Sequence, residues 1–168
     1  MSGIFLPHPN VNAILYSMLK INQHAPTFSL LDQHGITHTL KQYLGKKVLV
    51  YFYPKDDTPG CTTEACNFRD NYQDLSDAGL VVLGVSKDTV KSHKKFADKY
   101  ELPFPLLSDE DGVMCEAYGV WGKKKFMGRE YMGITRASFL IDEKGNIAKI
   151  YDEVKPKEHT QEVAKDIA

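Results

Sequence analysis

The sequence predicts an α/β fold, with a mixed central sheet flanked by helices and an N-terminal β-hairpin. Two continuous apolar runs, Val48–Tyr53 and Leu80–Ser86, are typical of strands buried on both faces. An amphipathic segment follows each run and predicts a helix. Two strand-like runs surround a turn at 142–145 and predict a closing antiparallel pair. Strand–helix–strand units join parallel strands, so the complete sheet is expected to be mixed, with helices on both faces.

The N-terminal hairpin is predicted from two short strands around a turn. Phe28–Leu31 and Ile36–Leu40 are the strands, and Asp32–Gly35 has turn composition. The buried run that begins at Val48 then ends at Pro54, which cannot continue a ladder of backbone hydrogen bonds.

The first helix is predicted from about Cys61 to Ala78. Its apolar face has a spacing of three or four residues, with Gly79 as a natural stop. After the second buried strand, Asp88 is expected to cap a helix that runs to about Tyr100.

The C-terminal half contains shorter elements. Leu106–Leu107 predicts a short strand, and the chain after Ser108 predicts a short helix. Residues 119–133 contain four glycines and a basic cluster, which favours a long loop. A strand over Arg136–Ile141, its partner from Asn146 to Tyr151 and a helix from about Lys157 complete the order.

Length and charge limit the classes of function. The chain has 168 residues, which suggests one domain, predicted at 18–168, with 1–17 as a peripheral extension. The net charge of -1 provides no global field for nucleic acid or an anionic membrane. No apolar run is long enough for a membrane span. The run Lys123–Lys125 fits either a local basic patch or a solvated loop.

The cysteine content predicts a reducing compartment, and therefore the cytoplasm. Three cysteines are an odd number and a poor disulfide scaffold for a chain of this size. Cysteines in such a protein serve chemistry or packing. Of the three, Cys115 lies on the predicted short helix beside Met114, where a buried structural thiol is the favoured interpretation.

Cys61 lies where a glycine-containing loop meets a predicted helix. Free N–H groups and partial positive charge at a helix N-terminus stabilise an anion, so this position favours the reactive thiolate. Thr58 lies on the same loop, and its hydroxyl could bond a peroxide or the sulfur. A small buried residue packed under the loop is the alternative interpretation of Cys61.

Cys66 is separated from Cys61 by four residues. In an unbroken helix this spacing places the two Cα atoms roughly 8–9 Å apart, whereas a disulfide requires less than about 7 Å. A bond between them would therefore require the first helical turns to unwind. A core-facing helix residue is the alternative interpretation of Cys66. Arg136 could supply a cation to the site, but the sequence by itself favours a surface arginine at a strand end.

These residues carry a resemblance to the peroxiredoxins. The pattern Pro54-x-x-x-Thr58-x-x-Cys61 matches the P-x-x-x-T-x-x-C signature of that family. The wider segment that ends in Thr-Thr-Glu-Ala-Cys66 resembles the bacterioferritin comigratory protein, or peroxiredoxin Q, subfamily. Similarity extends over about residues 18–168 and leaves 1–17 unmatched.

The resemblance implies a thioredoxin-like fold and reduction of hydrogen peroxide and organic hydroperoxides without a cofactor. It implies that Cys61 is the peroxidatic cysteine and passes through a sulfenic acid. It also implies that Pro54 shields the thiol, Thr58 positions the peroxide and Arg136 stabilises charge. Cys66 matches the resolving cysteine of subfamily members that use a same-helix partner. The resulting disulfide would be reduced by thioredoxin, and the subfamily is mostly monomeric.

Three other functions compete with this one. A thiol–disulfide oxidoreductase would use the two helix cysteines without peroxide, but the sequence lacks C-x2-C. A metal-binding module would use the cysteines and some of the six histidines, which are scattered without zinc-like spacing. A redox-inactive binding protein is the third. Trp121 fits either a wall of the peroxide site or packing in the core or a loop.

Overall fold

The computed structural model describes residues 19–168, so the predicted extension at 1–17 lies outside the described residues. The strands of this part are β1 Ser29–Leu31, β2 Thr37–Thr39, β3 Lys47–Phe52, β4 Leu80–Ser86, β5 Leu106–Ser108, β6 Trp121–Phe126, β7 Arg129–Ile134, β8 Ala137–Ile141 and β9 Ile147–Tyr151. The α-helices are α1 Pro59–Asp70, α2 Tyr72–Asp77, α3 Val90–Tyr100, α4 Val113–Ala117 and α5 His159–Ile167. Lys41–Tyr43 forms a single 3₁₀ turn.

The central sheet is mixed, as predicted. Its strand order is β2-β1-β5-β4-β3-β8-β9. The strands β3, β4 and β5 are parallel, and the other pairs are antiparallel. The N-terminal hairpin joins the sheet edge where Leu31 pairs with Ser108. None of the helices in residues 19–168 is long and apolar enough to cross a membrane.

The two faces of β3 serve two separate cores. Val48, Val50 and Phe52 pack in a cluster that includes Met114 and Tyr118 from the region of α4. The alternate residues of the strand pack in a second cluster with side chains from the other four helices. Helices therefore cover both faces, which explains why the strand is apolar at every position rather than at alternate positions.

The single helix predicted from Cys61 to Ala78 is in fact two helices. The first helix, α1, begins earlier than predicted, at Pro59, and ends at Asp70. The next residue, Asn71, has a φ of -107° and a ψ of 6°, which lie outside the helical region. The Asn71 side chain donates to the Asn67 carbonyl at 2.8 Å and so caps the end of α1. The apolar spacing continues through this break, so periodicity alone did not reveal it.

The prediction of a long loop over 119–133 is wrong, because β6 and β7 form a two-stranded hairpin there. Met127 and Gly128 have positive φ angles of 50° and 80°, which are typical of a two-residue type I′ turn. The strand β6 is rich in lysine, and both strands are largely exposed. They lack the alternation of apolar and polar residues that burial of one face imposes, so their sequence resembles that of a loop.

The predicted cap of α3 is also wrong. Thr89 is the capping residue, and its hydroxyl accepts from the Ser92 N–H at 3.0 Å. Asp88 instead accepts from the Asp56 N–H at 2.9 Å and from the Ser86 hydroxyl at 2.5 Å. The carboxylate therefore ties the chain after β3 to the chain after β4.

Gly84 of β4 leaves room for the side chains of its neighbours in the sheet. It pairs with Tyr51 of β3, and a Cβ atom at this position would lie 2.9 Å from the Tyr51 Oη and 2.8 Å from a Leu106 methyl carbon. Both neighbours are almost fully buried, so neither can move away freely.

We expect Gly84→Ala to lower the free energy of unfolding by about 1–3 kcal/mol, because the added methyl group overpacks the core. Urea denaturation measures this change. The matched control is Gly122→Ala, another strand glycine, where a Cβ would meet no atom within 4 Å. Equal denaturation midpoints for the two variants would contradict the packing argument.

Candidate active site

Cys61 lies in the first turn of α1, where the loop after β3 becomes helical. Pro59 begins the helix, a position at which its missing N–H is not needed. The Cys61 side chain is almost fully buried, with 2 % of its surface exposed. Its Sγ lies 3.3 Å from Nη2 of Arg136. The position therefore combines a helix N-terminus with a permanent cation, and both stabilise a thiolate.

Arg136 connects the sulfur to a buried carboxylate. It precedes β8, and its Nη1 lies 3.3 Å from Oε1 of Glu64, one helical turn after Cys61. Burial alone would lower the pKa of Arg136, but Glu64 and Cys61 together raise it above its usual range. Gly60 permits this approach, since a Cβ atom there would lie 3.1 Å from Nη2.

Glu64 is the site residue that sequence reasoning missed. Its side chain has no exposed surface, and its Oε2 has no hydrogen-bond partner among residues 19–168. Burial raises its pKa from 4.5 to about 7, although the ion pair with Arg136 acts in the opposite direction. The available signal was its position three residues after Cys61, which places both side chains on one helix face.

Thr58 and Pro54 lie on the loop before Cys61. The Thr58 hydroxyl donates to the Lys55 carbonyl at 2.8 Å, so its oxygen lone pairs remain available to accept a bond from a substrate. Thr58 is also the N-cap residue of α1, and its carbonyl accepts from the Thr62 N–H at 2.8 Å. Both loop residues are half-buried. Their predicted roles, positioning a peroxide and shielding the thiol, remain predictions.

Asp56 fastens this loop to α3. Its carboxylate accepts from the Tyr53 hydroxyl at 2.6 Å and the Ser92 hydroxyl at 2.8 Å, and it lies 2.8 Å from Nδ1 of His93. The other ring nitrogen of His93, Nε2, is 3.0 Å from the Leu107 carbonyl oxygen. These contacts join the loop, α3 and the end of β5 deep in the core.

Asp57 provides a second tie to the same helix. Its carboxylate accepts from Lys99 Nζ at 2.8 Å and from the Tyr100 hydroxyl at 2.7 Å. Asp57 has a φ of 54°, which is unusual for a residue with a side chain. The two aspartates together fix the loop that precedes Cys61.

The metal-binding interpretation finds little support in this geometry. Among residues 19–168, Asp56, Asp88 and His93 form a group whose ligand atoms all lie within 4.8 Å of one another. The ligand atoms already take part in hydrogen bonds with protein groups. The group includes no cysteine, so a metal there would not explain the two thiols of α1.

Cys66 lies on the same unbroken helix as Cys61. All three cysteines are free thiols, and Cys66 is half-buried. Because the helix between the two cysteines is continuous, their sulfurs cannot form a disulfide unless the helix unwinds.

Cys115 and Trp121 belong to the core cluster on the face of β3 opposite to that of Cys61. Cys115 is fully buried, and burial followed by the neighbouring Asp109 raises the pKa of its thiol well above the usual range, as expected for a structural thiol. Trp121 pairs with the core residue Ile134 at the base of the β6–β7 hairpin. The Nζ of Lys87 lies 4.1 Å from the centre of the Trp121 ring.

Comparison with known proteins gives one consistent result. The model of the AhpC/TSA family matches residues 21–150. The chain is 52% identical to peroxiredoxin Bcp of Escherichia coli over 141 residues, which are 84% of this chain and 90% of that protein. It is 48% identical to peroxiredoxin Bcp of Bacillus subtilis over 144 residues, which are 86% and 92% of the two chains.

Solved structures extend the similarity to the fold. A structure of peroxiredoxin Q from Xanthomonas campestris superposes with a TM-score of 0.81 at 36% identity and covers 89% of this chain and 95% of that one. Another, concerned with the alkyl peroxide reduction activity of the bacterioferritin comigratory protein of that organism, gives 0.80 at 35% identity, covering 89% and 96%. These matches confirm the predicted thioredoxin-like fold.

The buried carboxyl group of Glu64 makes stability depend on pH. Because its pKa is raised to about 7 in the fold, its contribution to stability is complete below about pH 4.5 and is lost as the pH rises through about 7. We expect Glu64→Gln to remove this loss, so its stability relative to wild type should increase by up to about 3 kcal/mol between pH 5 and pH 8.

Urea denaturation at both pH values measures the difference. Glu110→Gln is the control, since Glu110 is exposed. A constant difference between Glu64→Gln and wild type across this range would show that Glu64 is already ionised at pH 5.

Proposed function

Because the chain belongs to the AhpC/TSA family and is a thiol peroxidase, we propose that Cys61 is its peroxide-attacking residue. The contact between Cys61 Sγ and the Arg136 guanidinium at the start of α1 carries this proposal. The Cys61 thiolate attacks one peroxide oxygen, an S–O bond forms and the O–O bond breaks. Cys61 becomes a sulfenic acid, and the other oxygen takes a proton and leaves as water or an alcohol.

Arg136 and Thr58 act at different points around the breaking bond. Negative charge moves from the sulfur to the leaving oxygen, and the fixed guanidinium stabilises it throughout. The Thr58 lone pairs can accept the hydrogen of the hydroperoxide, which orients the O–O bond toward the sulfur. Pro54 at the end of β3 limits access of water to the thiol. No cofactor takes part, because sulfur supplies the two electrons.

The substrates are hydrogen peroxide and organic hydroperoxides. Each presents the same O–O bond, and only the leaving group differs. The alkyl peroxide reduction activity of the similar Xanthomonas campestris protein supports the organic class.

Cys66 is proposed to resolve the sulfenic acid. Its thiolate attacks the oxidised sulfur of Cys61, a disulfide forms and water leaves. The first turns of α1 must unwind for this step. Both ends of the moving segment are fixed: Asp56 and Asp57 hold the loop before it, and the Asn67 side chain donates to the Pro156 carbonyl at 3.1 Å after it.

Thioredoxin is the proposed reductant of this disulfide, in a monomeric cytoplasmic enzyme whose single thioredoxin-like domain spans 18–168. A disulfide that forms in every cycle needs a protein or small thiol to return the two electrons. The cytoplasm maintains such thiols in their reduced form. Peroxide and a thiol reductant are the partners that the chemistry requires, and thioredoxin is the proposed reductant, without nucleic acid or membrane.

Peroxide consumption with dithiothreitol tests the assignment of the cysteines. We expect turnover by wild type and none by Cys61→Ser. Cys66→Ser should retain one peroxide-driven oxidation to the sulfenic acid but lose turnover with thioredoxin. Cys115→Ser is the matched control and should consume peroxide at the wild-type rate. Consumption by Cys61→Ser at the wild-type rate would overturn the proposal in favour of disulfide exchange.

Helix propensity between the two cysteines should control the rate of disulfide formation. Thr63 lies in the segment that must unwind, and Ala and Gly at one helical position differ by about 1 kcal/mol in helix stability. We expect Thr63→Gly to form the disulfide about fivefold faster than Thr63→Ala, with equal rates of sulfenic acid formation.

Rapid-mixing measurements of each step provide the test. Gln73 is exposed on α2, outside the unwinding segment, so Gln73→Gly and Gln73→Ala are the control pair and should not differ. Identical disulfide rates for the two Thr63 variants would mean that unwinding does not limit the step.

A further inference from the structure

The β6–β7 hairpin exposes a group of large apolar side chains. Their exposed fractions are 66% for Phe126, 88% for Met127, 48% for Tyr131 and 50% for Met132. The hairpin forms a separate two-stranded sheet, and apart from its base its residues are largely exposed. Phe126 and Tyr131 share one face of the hairpin, and an exposed apolar patch marks an interaction site more often than chance placement does.

The two faces of the hairpin are chemically distinct. Directly paired residues share a face, so Lys124 lies with Tyr131, and Phe126 lies with Arg129. We call this set of four residues the inner face. The opposite set of Lys123, Lys125, Glu130 and Met132 is the outer face.

The inner face is turned toward the active site. Lys124 Nζ donates to the Ile134 carbonyl at 2.7 Å, two residues before Arg136. Burial and the nearby Arg136 lower the pKa of Lys124, while Cys61 acts on it in the opposite direction, so the ammonium group lies within the field of both. On the outer face, Ile134 at the base of the hairpin packs into the core.

The hairpin is also cationic. It contains Lys123, Lys124, Lys125 and Arg129 against the single acidic residue Glu130, whereas the whole chain has a net charge of -1. The local field therefore attracts a negatively charged partner. Aromatic side chains beside an arginine form a surface typical of protein-interface hot spots.

We propose that the inner face of the hairpin docks the protein dithiol that reduces the Cys61–Cys66 disulfide, and that this partner has an apolar surface with acidic residues around its thiols. The inference rests on the proposed function. One partner thiolate attacks the disulfide and forms a mixed disulfide, and its second thiol then releases both cysteines as thiols, so that two electrons are transferred. Docking beside Arg136 places the partner sulfur close to the chain segment that carries Cys61.

The position of the patch favours a redox protein over a bilayer or a second copy of this chain. Only a partner that must reach the thiols benefits from a surface beside Cys61. The inner face offers two aromatic side chains and one exposed cation, a small surface typical of transient electron-transfer encounters.

Two matched pairs of variants compare the inner and outer faces. Tyr131 and Met132 are adjacent and almost equally exposed, at 48% and 50%, but lie on opposite faces. Tyr131→Ser and Met132→Ser form the apolar pair, and Arg129→Glu with Lys125→Glu forms the charged pair. The assay follows NADPH oxidation with thioredoxin, thioredoxin reductase and hydrogen peroxide, and a parallel assay replaces thioredoxin with dithiothreitol.

We expect kcat/KM for thioredoxin to fall about tenfold in Tyr131→Ser and Arg129→Glu, through a higher KM, since loss of an interface anchor has this magnitude. The outer-face variants should remain within about twofold of wild type. Turnover with dithiothreitol should be unchanged in all four, which also shows that each variant is folded. Equal losses on both faces, or no loss on either, would overturn the proposal.

Two further results separate this inference from the proposed function. If dithiothreitol but not thioredoxin supports turnover of the wild type, the proposed reductant is wrong, and the same variants are compared with glutaredoxin and glutathione. Docking of a protein dithiol is overturned if neither protein reduces the wild type. It is also overturned if the inner-face variants lose binding to anionic phospholipid vesicles, or lose self-association, while keeping wild-type kcat/KM for the reductant.

Discussion

The bridge from Cys61 through Arg136 to Glu64 is the interaction on which the rest of the site depends. A sulfur at the start of a helix is only moderately activated by the helix itself. The guanidinium adds a fixed charge at 3.3 Å, and the buried carboxylate holds the guanidinium from its other side. The cation is only partly exposed, so solvent does little to screen these contacts.

The same bridge connects chemistry to conformational change. Arg136 holds the first two turns of α1 together while the thiol is reduced, because it contacts residues of both turns. Unwinding must break both contacts and expose Glu64, whose carboxyl group ionises more readily in water. The carboxyl group is thus poorly solvated in the helix and better solvated outside it. This difference in solvation lowers the free-energy cost of unwinding the first turns of α1 at neutral pH.

The surrounding structure confines the unwinding of α1 to a short segment. The loop before α1 is tied to α3 through buried and exposed hydrogen bonds of Asp56 and Asp57. After the segment, Phe68 is fully buried in the core and Asn67 bonds the chain before α5. Local unwinding therefore leaves the sheet and the neighbouring helices in place, and the hairpin beside Arg136 stays in position for a partner.

The sequence by itself determined the mixed sheet, the order of its main elements and the position of Cys61 at a helix start. These features follow from local patterns: an apolar run long enough for a buried strand, a turn and an amphipathic helix. It did not reveal the break at Asn71 or the β6–β7 hairpin. The first is hidden because apolar spacing continues past it, and the second because exposed strands lack alternation.

Only the tertiary structure decided what surrounds the sulfur. Arg136 is 75 residues from Cys61 in the chain, and the sequence could not distinguish it from a surface arginine. Glu64 was near in sequence, but its burial depends on the packing of α1 against the sheet. Local patterns specify how a segment folds, whereas charge, burial and reactivity at a site depend on groups that only the packed chain brings together.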